Sequence, residues 1–162
     1  HIYHSSCIMK VRMPRFRLYA DTSVMGGCFD LEFVEASQAF MTRVREGSLT
    51  LVISELLIEE LSQAPTAVQE LLTELPTDQI ESIMITDESE ILRDAYLAAK
   101  VVGPASSYDA HHVALASIAK VDYIVSWNFK HLVHVEKIRG FNSVNLRLGY
   151  PLIDIRTPKE VG

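Results

Sequence analysis

Residues 17–27 read RLYADTSVMGG and contain the end of a predicted β-strand. The short apolar run 18–20 stops at Asp21. Two hydroxyl residues, a valine and a methionine then separate this acid from a pair of glycines at 26 and 27. A strand that enters a protein core is not expected to end on a carboxylate, because a buried charge needs a partner. Asp21 therefore either caps a turn or belongs to a functional site, and both readings are open at this point.

Strands and helices alternate along the rest of the chain. Compact apolar runs predict buried strands within LTLVIS (49–54) and VDYIVSWN (121–128). The segment IESIMIT (80–86) reads equally well as an edge strand or a loop, and SVNLRLG (143–149) and PLIDI (151–155) are weaker strand candidates. Amphipathic spacing and capping residues predict helices within 30–47, 54–64, 66–76, 87–103 and 106–120. This order predicts an α/β fold, with helices on both faces of a mainly parallel sheet.

The bulk composition is that of one folded domain. The chain has 162 residues, of which 48% are hydrophobic and 22% are charged. Residues 1–16 lack periodicity and are expected to be an N-terminal extension that is disordered or not native, which leaves a single domain over 17–162. The apolar runs are too short to cross a bilayer, and two cysteines make no disulfide framework, so we expect a cytoplasmic protein without a membrane partner.

Charge is unevenly distributed along the chain. The net charge is −6, but residues 30–94 carry 15 acids against three arginines, a balance of −12. Solvated helix surfaces explain most of this pattern. A nucleic-acid partner would require the acidic region to face away from the substrate or to be covered by another protein.

Three polar groups follow predicted strands or begin helices at one edge of the expected sheet. Asp21 ends the first strand, Asp109 lies in the first turn of a helix, and Asn128 follows a later strand. A fourth group comes from the helix after the second strand, where we expect Glu60 to be half-buried and Glu59 to be exposed. Open parallel sheets form their sites at this edge.

Each of these residues also has a purely structural explanation. Ser106 and Asp109 have the spacing of a capping box, and a glutamate such as Glu60 is ordinary on an exposed helix face. His112 shares a helix face with Asp109 and is expected to pack or hydrogen-bond, and Trp127 is more often a core residue than a platform for a base. The case for function depends on convergence of the carboxylates.

Several carboxylates at one edge repel one another unless a cation lies among them. Oxygen ligands without Cys or His suit Mg²⁺ or Mn²⁺, and the chemistry that follows is hydrolysis of a phosphodiester. Signatures of dinucleotide-binding folds, P-loops and esterase elbows are missing from the sequence.

Four segments resemble the PIN-domain ribonucleases, the family that contains VapC-type toxins of toxin–antitoxin modules. They are YADTSVMGG, VISELLIEEL, SYDAHHVALASIAKVDYIVSWNFKHL and GYPLIDIRTPKEV, and together the resemblance runs from about residue 17 to 160. It implies a three-layer α/β/α sandwich and a Mg²⁺- or Mn²⁺-dependent endoribonuclease.

The resemblance also implies a set of site residues. Asp21, Glu60 and Asp109 take the positions of the metal-binding and catalytic acids, and Ser23 with the adjacent Thr22 takes the position of the supporting hydroxyl. The family's fourth acid is replaced by Asn128, which can orient a ligand but cannot act as a base. That substitution makes a second metal ion less certain.

The expected partners are an RNA substrate, an antitoxin protein and a second copy of the chain. RNA phosphates would contact basic residues near the site, and a homodimer would use apolar residues such as Phe33, Phe40 or Tyr96. The candidate phosphate contacts are Lys130, Lys137, Arg139 and Arg147. The alternative is a degenerate PIN domain that serves as a binding or regulatory module and cannot cleave, because Asn128 has weakened its site.

Overall fold

The computed structural model describes residues 15–161, which contain a five-stranded sheet with the order β3-β2-β1-β4-β5. Every neighbouring pair of strands is parallel. The strands are β1 (Phe16–Ala20), β2 (Leu49–Ser54), β3 (Ile80–Ile83), β4 (Tyr123–Val125) and β5 (Ile155–Arg156). Parallel strands need crossover connections, and helices supply them here.

Seven α-helices connect and cover the strands within the described residues. They are α1 (Thr22–Gly27), α2 (Val34–Arg45), α3 (Glu55–Leu61), α4 (Thr66–Thr73), α5 (Asp87–Ala98), α6 (Ser107–Ile118) and α7 (Val135–Leu148). Short 3₁₀ turns occupy Thr77–Gln79 and Pro104–Ser106.

The sheet separates two hydrophobic cores. Side chains alternate across a strand, so Leu18 and Ala20 of β1 pack into one core with α1 and α2, while Tyr19 packs into the other with α5 and α6. All three side chains are almost fully buried. The predicted three-layer α/β/α architecture with a parallel sheet is confirmed.

The predicted helices and strands mostly lie where the sequence patterns place them. Segment 80–86 contains the edge strand β3, and Ser54 caps α3 by accepting a hydrogen bond from the Leu57 N–H at 3.1 Å. The capping box expected at Ser106 is wrong, because its side chain makes no capping hydrogen bond. Asp109 is therefore not explained by that structural role.

The strand expected at SVNLRLG is also wrong. This segment lies in α7, whose buried residues Phe141, Val144 and Asn145 follow helical spacing. Gly140 obscures the helical pattern, but its missing side chain is required for close packing: a Cβ atom there would lie 2.8 Å from Val101 Cγ1. PLIDI is only partly strand, since β5 begins at Ile155.

Two further expectations need correction or lie outside the described residues. Phe40 and Tyr96 are fully buried and cannot contact a second copy, whereas Phe33 packs on Trp127. β1 begins at Phe16, one residue before the expected domain boundary, and the expectation of disorder for 1–14 falls on residues that the structure does not describe. Across residues 15–161, no helix combines the length and apolarity that a bilayer span requires.

Candidate functional site

The candidate site lies at the carboxyl edge of the sheet, between β1 and β4. The chain leaves β1 toward β2 on one side, while β4 pairs with β1 on the other. Connections therefore diverge at this point, and such a switch point opens a crevice beyond the strand ends. Asp21 follows β1 here, and Ser126 and Asn128 follow β4.

The Asp21 carboxylate is buried and held on both oxygens by serines. Ser23 donates to Oδ1 from its hydroxyl at 2.5 Å and from its backbone N–H at 3.1 Å. Ser126 donates to Oδ2 at 2.6 Å. Asp21 thus caps the N-terminus of α1, as the first of its two explanations predicted. Whether it also belongs to a functional site depends on its neighbours.

Backbone groups fix the direction of both serine hydroxyls. Ser23 Oγ accepts the Trp127 N–H at 2.8 Å, and Ser126 Oγ accepts the Asn128 N–H at 2.9 Å. Each hydroxyl proton is then free to point at Asp21. The sequence predicts Ser23 as a site residue, whereas Ser126 was not predicted. Ser126 could have been found as a polar residue directly after a buried strand.

Asp21 and Asp109 act on each other electrostatically. Burial raises the pKa of Asp21, the serine hydrogen bonds and the His112 charge lower it, and the charge of Asp109 raises it further. Burial likewise raises the pKa of Asp109, as does the charge of Glu60, whereas His112, His131 and the Asn128 amide lower it. The carboxylates at 21, 60 and 109 therefore belong to one electrostatic cluster.

Glu60 reaches this cluster from α3, and its position agrees with the sequence. Its side chain is 30% exposed, whereas Glu59 is fully on the surface. A Glu60 carboxylate oxygen accepts a hydrogen bond from His112 Nε2. On its other side, His112 Nδ1 lies 2.5 Å from the hydroxyl of Tyr19, so the histidine packs and hydrogen-bonds as expected.

Asn128 has a different geometry from a metal-binding acid. Its Oδ1 accepts the His131 N–H at 3.0 Å and closes a turn. The Asn128 amide also lowers the pKa of Asp109, but no direct hydrogen bond of ordinary geometry joins the two side chains. Asn128 therefore closes the turn and influences Asp109 electrostatically.

Two buried polar atoms beside the carboxylates lack a partner among the described residues. They are Thr22 Oγ1, next to Asp21 in the chain, and His131 Nδ1, whose ring acts electrostatically on Asp109. A buried polar atom without a hydrogen bond costs about 1–3 kcal/mol. Both atoms are explained if water or a ligand occupies the crevice.

Within residues 15–161, no group of three or more His, Cys, Asp or Glu side chains is arranged so that it could hold a metal ion. The geometry instead offers Asp21 and Asp109, with the Thr22 hydroxyl alongside. Mg²⁺ is commonly held by one or two carboxylates and several waters, so this oxygen donor set fits that ion. Glu60 faces His112, which favours an indirect contribution.

The candidate phosphate contacts differ in their surroundings. Lys130 is exposed two residues after Asn128. Lys137 donates to the Val101 carbonyl at 3.0 Å, while Arg139 and Arg147 project from the surface of α7. Trp127 stacks on Phe33 at 4.2 Å and donates to Ser37 Oγ at 2.8 Å, in agreement with a packing role.

The fold is similar to that of a VapBC2 chain. That chain comes from the crystal structure of VapBC2 from Rickettsia felis bound to a DNA fragment from their promoter. The superposition has a TM-score of 0.53 and 12% sequence identity, and it covers 88% of this chain and 98% of that one. Neither a protein-family model nor a curated protein matches the sequence. At this identity the likeness shows the fold.

Proposed function

We propose that this protein is a Mg²⁺- or Mn²⁺-dependent endoribonuclease of the PIN type and the toxin of a toxin–antitoxin pair. The observation that carries the proposal is the buried Asp21 carboxylate at the carboxyl edge of the sheet, held on both oxygens by Ser23 and Ser126 and close enough to Asp109 for that charge to raise its pKa. Across the described residues, no lysine or arginine forms an ion pair with either carboxylate. A divalent cation is the partner that removes this repulsion.

The side chains have distinct roles in the proposed site. Asp21 and Asp109 would hold the cation, and Glu60 would contribute to its binding. Ser23 and Ser126 hold both oxygens of Asp21, and the Asn128 amide lowers the pKa of Asp109. A bound Mg²⁺ or Mn²⁺ would supply positive charge against a phosphodiester and activate water for its hydrolysis.

RNA is the proposed substrate, and the surroundings of the site are consistent with it in one respect. Lys130 is exposed close to Asn128 and is available to a phosphate group. The net charge of −6 limits long-range attraction to RNA, so local contacts and the cation must provide the affinity.

The toxin assignment and the antitoxin partner follow from the structural similarity. The VapBC2 chain that shares this fold was crystallised in a complex with promoter DNA. An antitoxin would also cover part of the acidic surface of this protein. A homodimer and a cytoplasmic location stay predictions from the sequence.

A binding module without catalysis is the second candidate. It is favoured by the absence, among residues 15–161, of a three-residue metal cluster and by the amide at position 128. The module would retain the fold and the partner surface but neither bind a divalent ion nor cleave RNA.

Calorimetry with Mn²⁺ combined with a cleavage assay on single-stranded RNA tests the proposal. We expect one Mn²⁺ site that is lost in Asp21→Asn and Asp109→Asn, and cleavage that requires the metal and both residues. Asp94→Asn, on the exposed surface of α5, is the matched control and should keep both activities. Purified protein that neither binds Mn²⁺ nor cleaves RNA would leave the binding module.

A further inference from the structure

Tyr19 and His112 connect the buried core to the Glu60 carboxylate. Tyr19 lies on β1 and is fully buried, and His112 lies on α6 with 2% exposure. The Tyr19 hydroxyl is 2.5 Å from His112 Nδ1 and 2.7 Å from Ser54 Oγ. Ser54 in turn accepts the Leu57 N–H at the start of α3, the helix that carries Glu60.

The hydrogen bonds that join Ser54, Tyr19, His112 and Glu60 can all form at once, with one donor and one acceptor in each. An ionised carboxylate only accepts, so His112 Nε2 carries the proton that Glu60 receives. In the neutral imidazole, Nδ1 then accepts from Tyr19, and the Tyr19 oxygen accepts from Ser54. A protonated imidazole would reverse the bonds to Tyr19 and Ser54 but leave the Nε2 bond to Glu60 unchanged.

Glu60 needs such support because it is a long side chain at the edge of a crevice. Its side chain is 30% exposed, and holding a long glutamate side chain in one position costs rotamer entropy. Asp21 is held by the Ser23 and Ser126 hydroxyls. His112 is the corresponding donor for Glu60, so both of these acids have a hydrogen-bond donor that lies in the packed interior.

We propose that His112 and Tyr19 are positioning residues for the nuclease reaction: buried hydrogen bonds from β1 and α6 hold the Glu60 carboxylate in place beside Asp109. This inference rests on the proposed function. Residues that orient metal-site groups from behind typically change metal affinity or activity about 10–100-fold when they are replaced.

The neighbouring histidine provides a control within the same helix. His111 is 4% exposed, as buried as His112, but its Nε2 lies 3.0 Å from Ser89 Oγ. Ser89 belongs to the capping box of α5, so His111 serves helix packing. Replacement of either histidine removes a buried ring, with one side-chain hydrogen bond lost at His111 and two at His112, and only His112 contacts Glu60.

The experiment measures Mn²⁺ affinity by calorimetry, together with kcat and KM for a single-stranded RNA, for full-length variants assayed below their melting temperatures. In His112→Leu we expect Mn²⁺ binding about tenfold weaker and kcat about 10–100-fold lower, with little change in KM. His112→Gln retains an N–H donor and should recover part of both losses. Tyr19→Phe keeps the buried ring and should lower kcat by a smaller factor.

A double-mutant cycle with Glu60→Gln separates positioning from general destabilisation. If His112 acts through Glu60, His112→Leu should add little to the loss of Mn²⁺ affinity in Glu60→Gln. His111→Leu should lower the melting temperature but preserve Mn²⁺ affinity and kcat.

The experiment distinguishes failure of the positioning role from failure of the proposed function. Equal losses of affinity and kcat in His111→Leu and His112→Leu, or full additivity with Glu60→Gln, would overturn the positioning role and leave the nuclease intact. An unchanged protein that neither binds Mn²⁺ nor cleaves RNA would overturn the proposed function, and this inference with it.

Discussion

Ser126 Oγ lies 2.6 Å from Asp21 Oδ2, and this hydrogen bond connects the ends of two adjacent parallel strands. Because it lowers the pKa of Asp21, its loss should raise that pKa further and weaken cation binding. We expect Ser126→Ala to reduce the free energy of unfolding by about 1–3 kcal/mol. Urea denaturation and Mn²⁺ calorimetry measure the two effects.

Ser117→Ala is the control for Ser126→Ala. Ser117 is equally buried but hydrogen-bonds Asn145 at 2.9 Å, in the core on the α6 side of the sheet. Its loss should reduce stability without an effect on Mn²⁺ affinity. In combination with Asp21→Asn, the Ser126 substitution should show a coupling of at least about 0.5 kcal/mol in the free energy of unfolding. Additivity would contradict the contact.

Asp109→Asn should make the metal-free protein more stable at alkaline pH. The pKa of Asp109 is raised in the folded state by burial, so the folded protein retains a proton that the unfolded chain loses from about pH 4 upward. Stability contributed by the protonated form is therefore lost as pH rises through the raised pKa. The advantage of the asparagine should be present at pH 8 and vanish near pH 4.

Urea denaturation in EDTA across this pH range measures the difference between the two proteins. Asp94→Asn removes one surface charge and is the control for net charge. Addition of Mn²⁺ at pH 8 should make the unsubstituted protein more stable than Asp109→Asn, because only the protein with Asp109 gains stability from the ion. A variant that is less stable at pH 8 in EDTA would contradict the prediction.

Gly27→Ala should disturb the contact that holds Trp127. A Cβ atom at residue 27 would lie 2.5 Å from Ser37 Oγ and 2.8 Å from Trp127 Nε1. These atoms form the hydrogen bond that anchors the indole, so we expect a loss of about 1–3 kcal/mol in the free energy of unfolding. Trp127 is the single tryptophan, and its fluorescence should report the displacement directly.

Gly26→Ala is the matched control for this substitution. A Cβ atom at Gly26 meets nothing within 4 Å, although both glycines lie in α1. Alanine is a better helix former than glycine by about 0.8–1.0 kcal/mol, so Gly26→Ala should be neutral or stabilising. Equal effects of the two substitutions on stability and fluorescence would contradict the close approach at Gly27.

The sequence predicts the sheet because each buried strand can be recognised from the apolar residues within its own short segment. Strands β1, β2 and β4 are short and mostly apolar. β2 ends on Ser54, and Asp21 and Ser126 directly follow β1 and β4 at the same edge. Helix α7 was missed because Gly140 resembles a break in the pattern, whereas its role depends on Val101, a residue far away in the chain. Tertiary contacts of that kind are invisible to local periodicity.

The candidate site likewise has features that the local sequence predicts and features that depend on tertiary contacts. Asp21, Asp109 and Glu60 were identified from their place at strand ends and helix starts, and the half-buried state of Glu60 follows from helical spacing. Ser126 and the bond from His112 to Glu60 were not predicted. Both depend on which rotamers the packed core permits.

Asn128→Asp tests whether the amide at this position limits the site. The aspartate could still accept the His131 N–H, but it would replace an amide that lowers the pKa of Asp109 with a like charge. In EDTA at pH 8 we expect a loss of about 1–3 kcal/mol in the free energy of unfolding. With the added negative charge, Mn²⁺ should bind about tenfold more tightly, since ligand charge governs affinity at such sites.

Thermal denaturation with and without Mn²⁺ measures the loss of stability, and calorimetry measures the gain in Mn²⁺ affinity. Asn128→Ala is the control, because it removes the side-chain amide and the hydrogen bond to His131 without adding a charge. It should be destabilised in EDTA and gain no affinity for Mn²⁺. If the aspartate variant binds Mn²⁺ no more tightly than the alanine variant, position 128 does not face the cation, and its amide serves only to close the turn at His131.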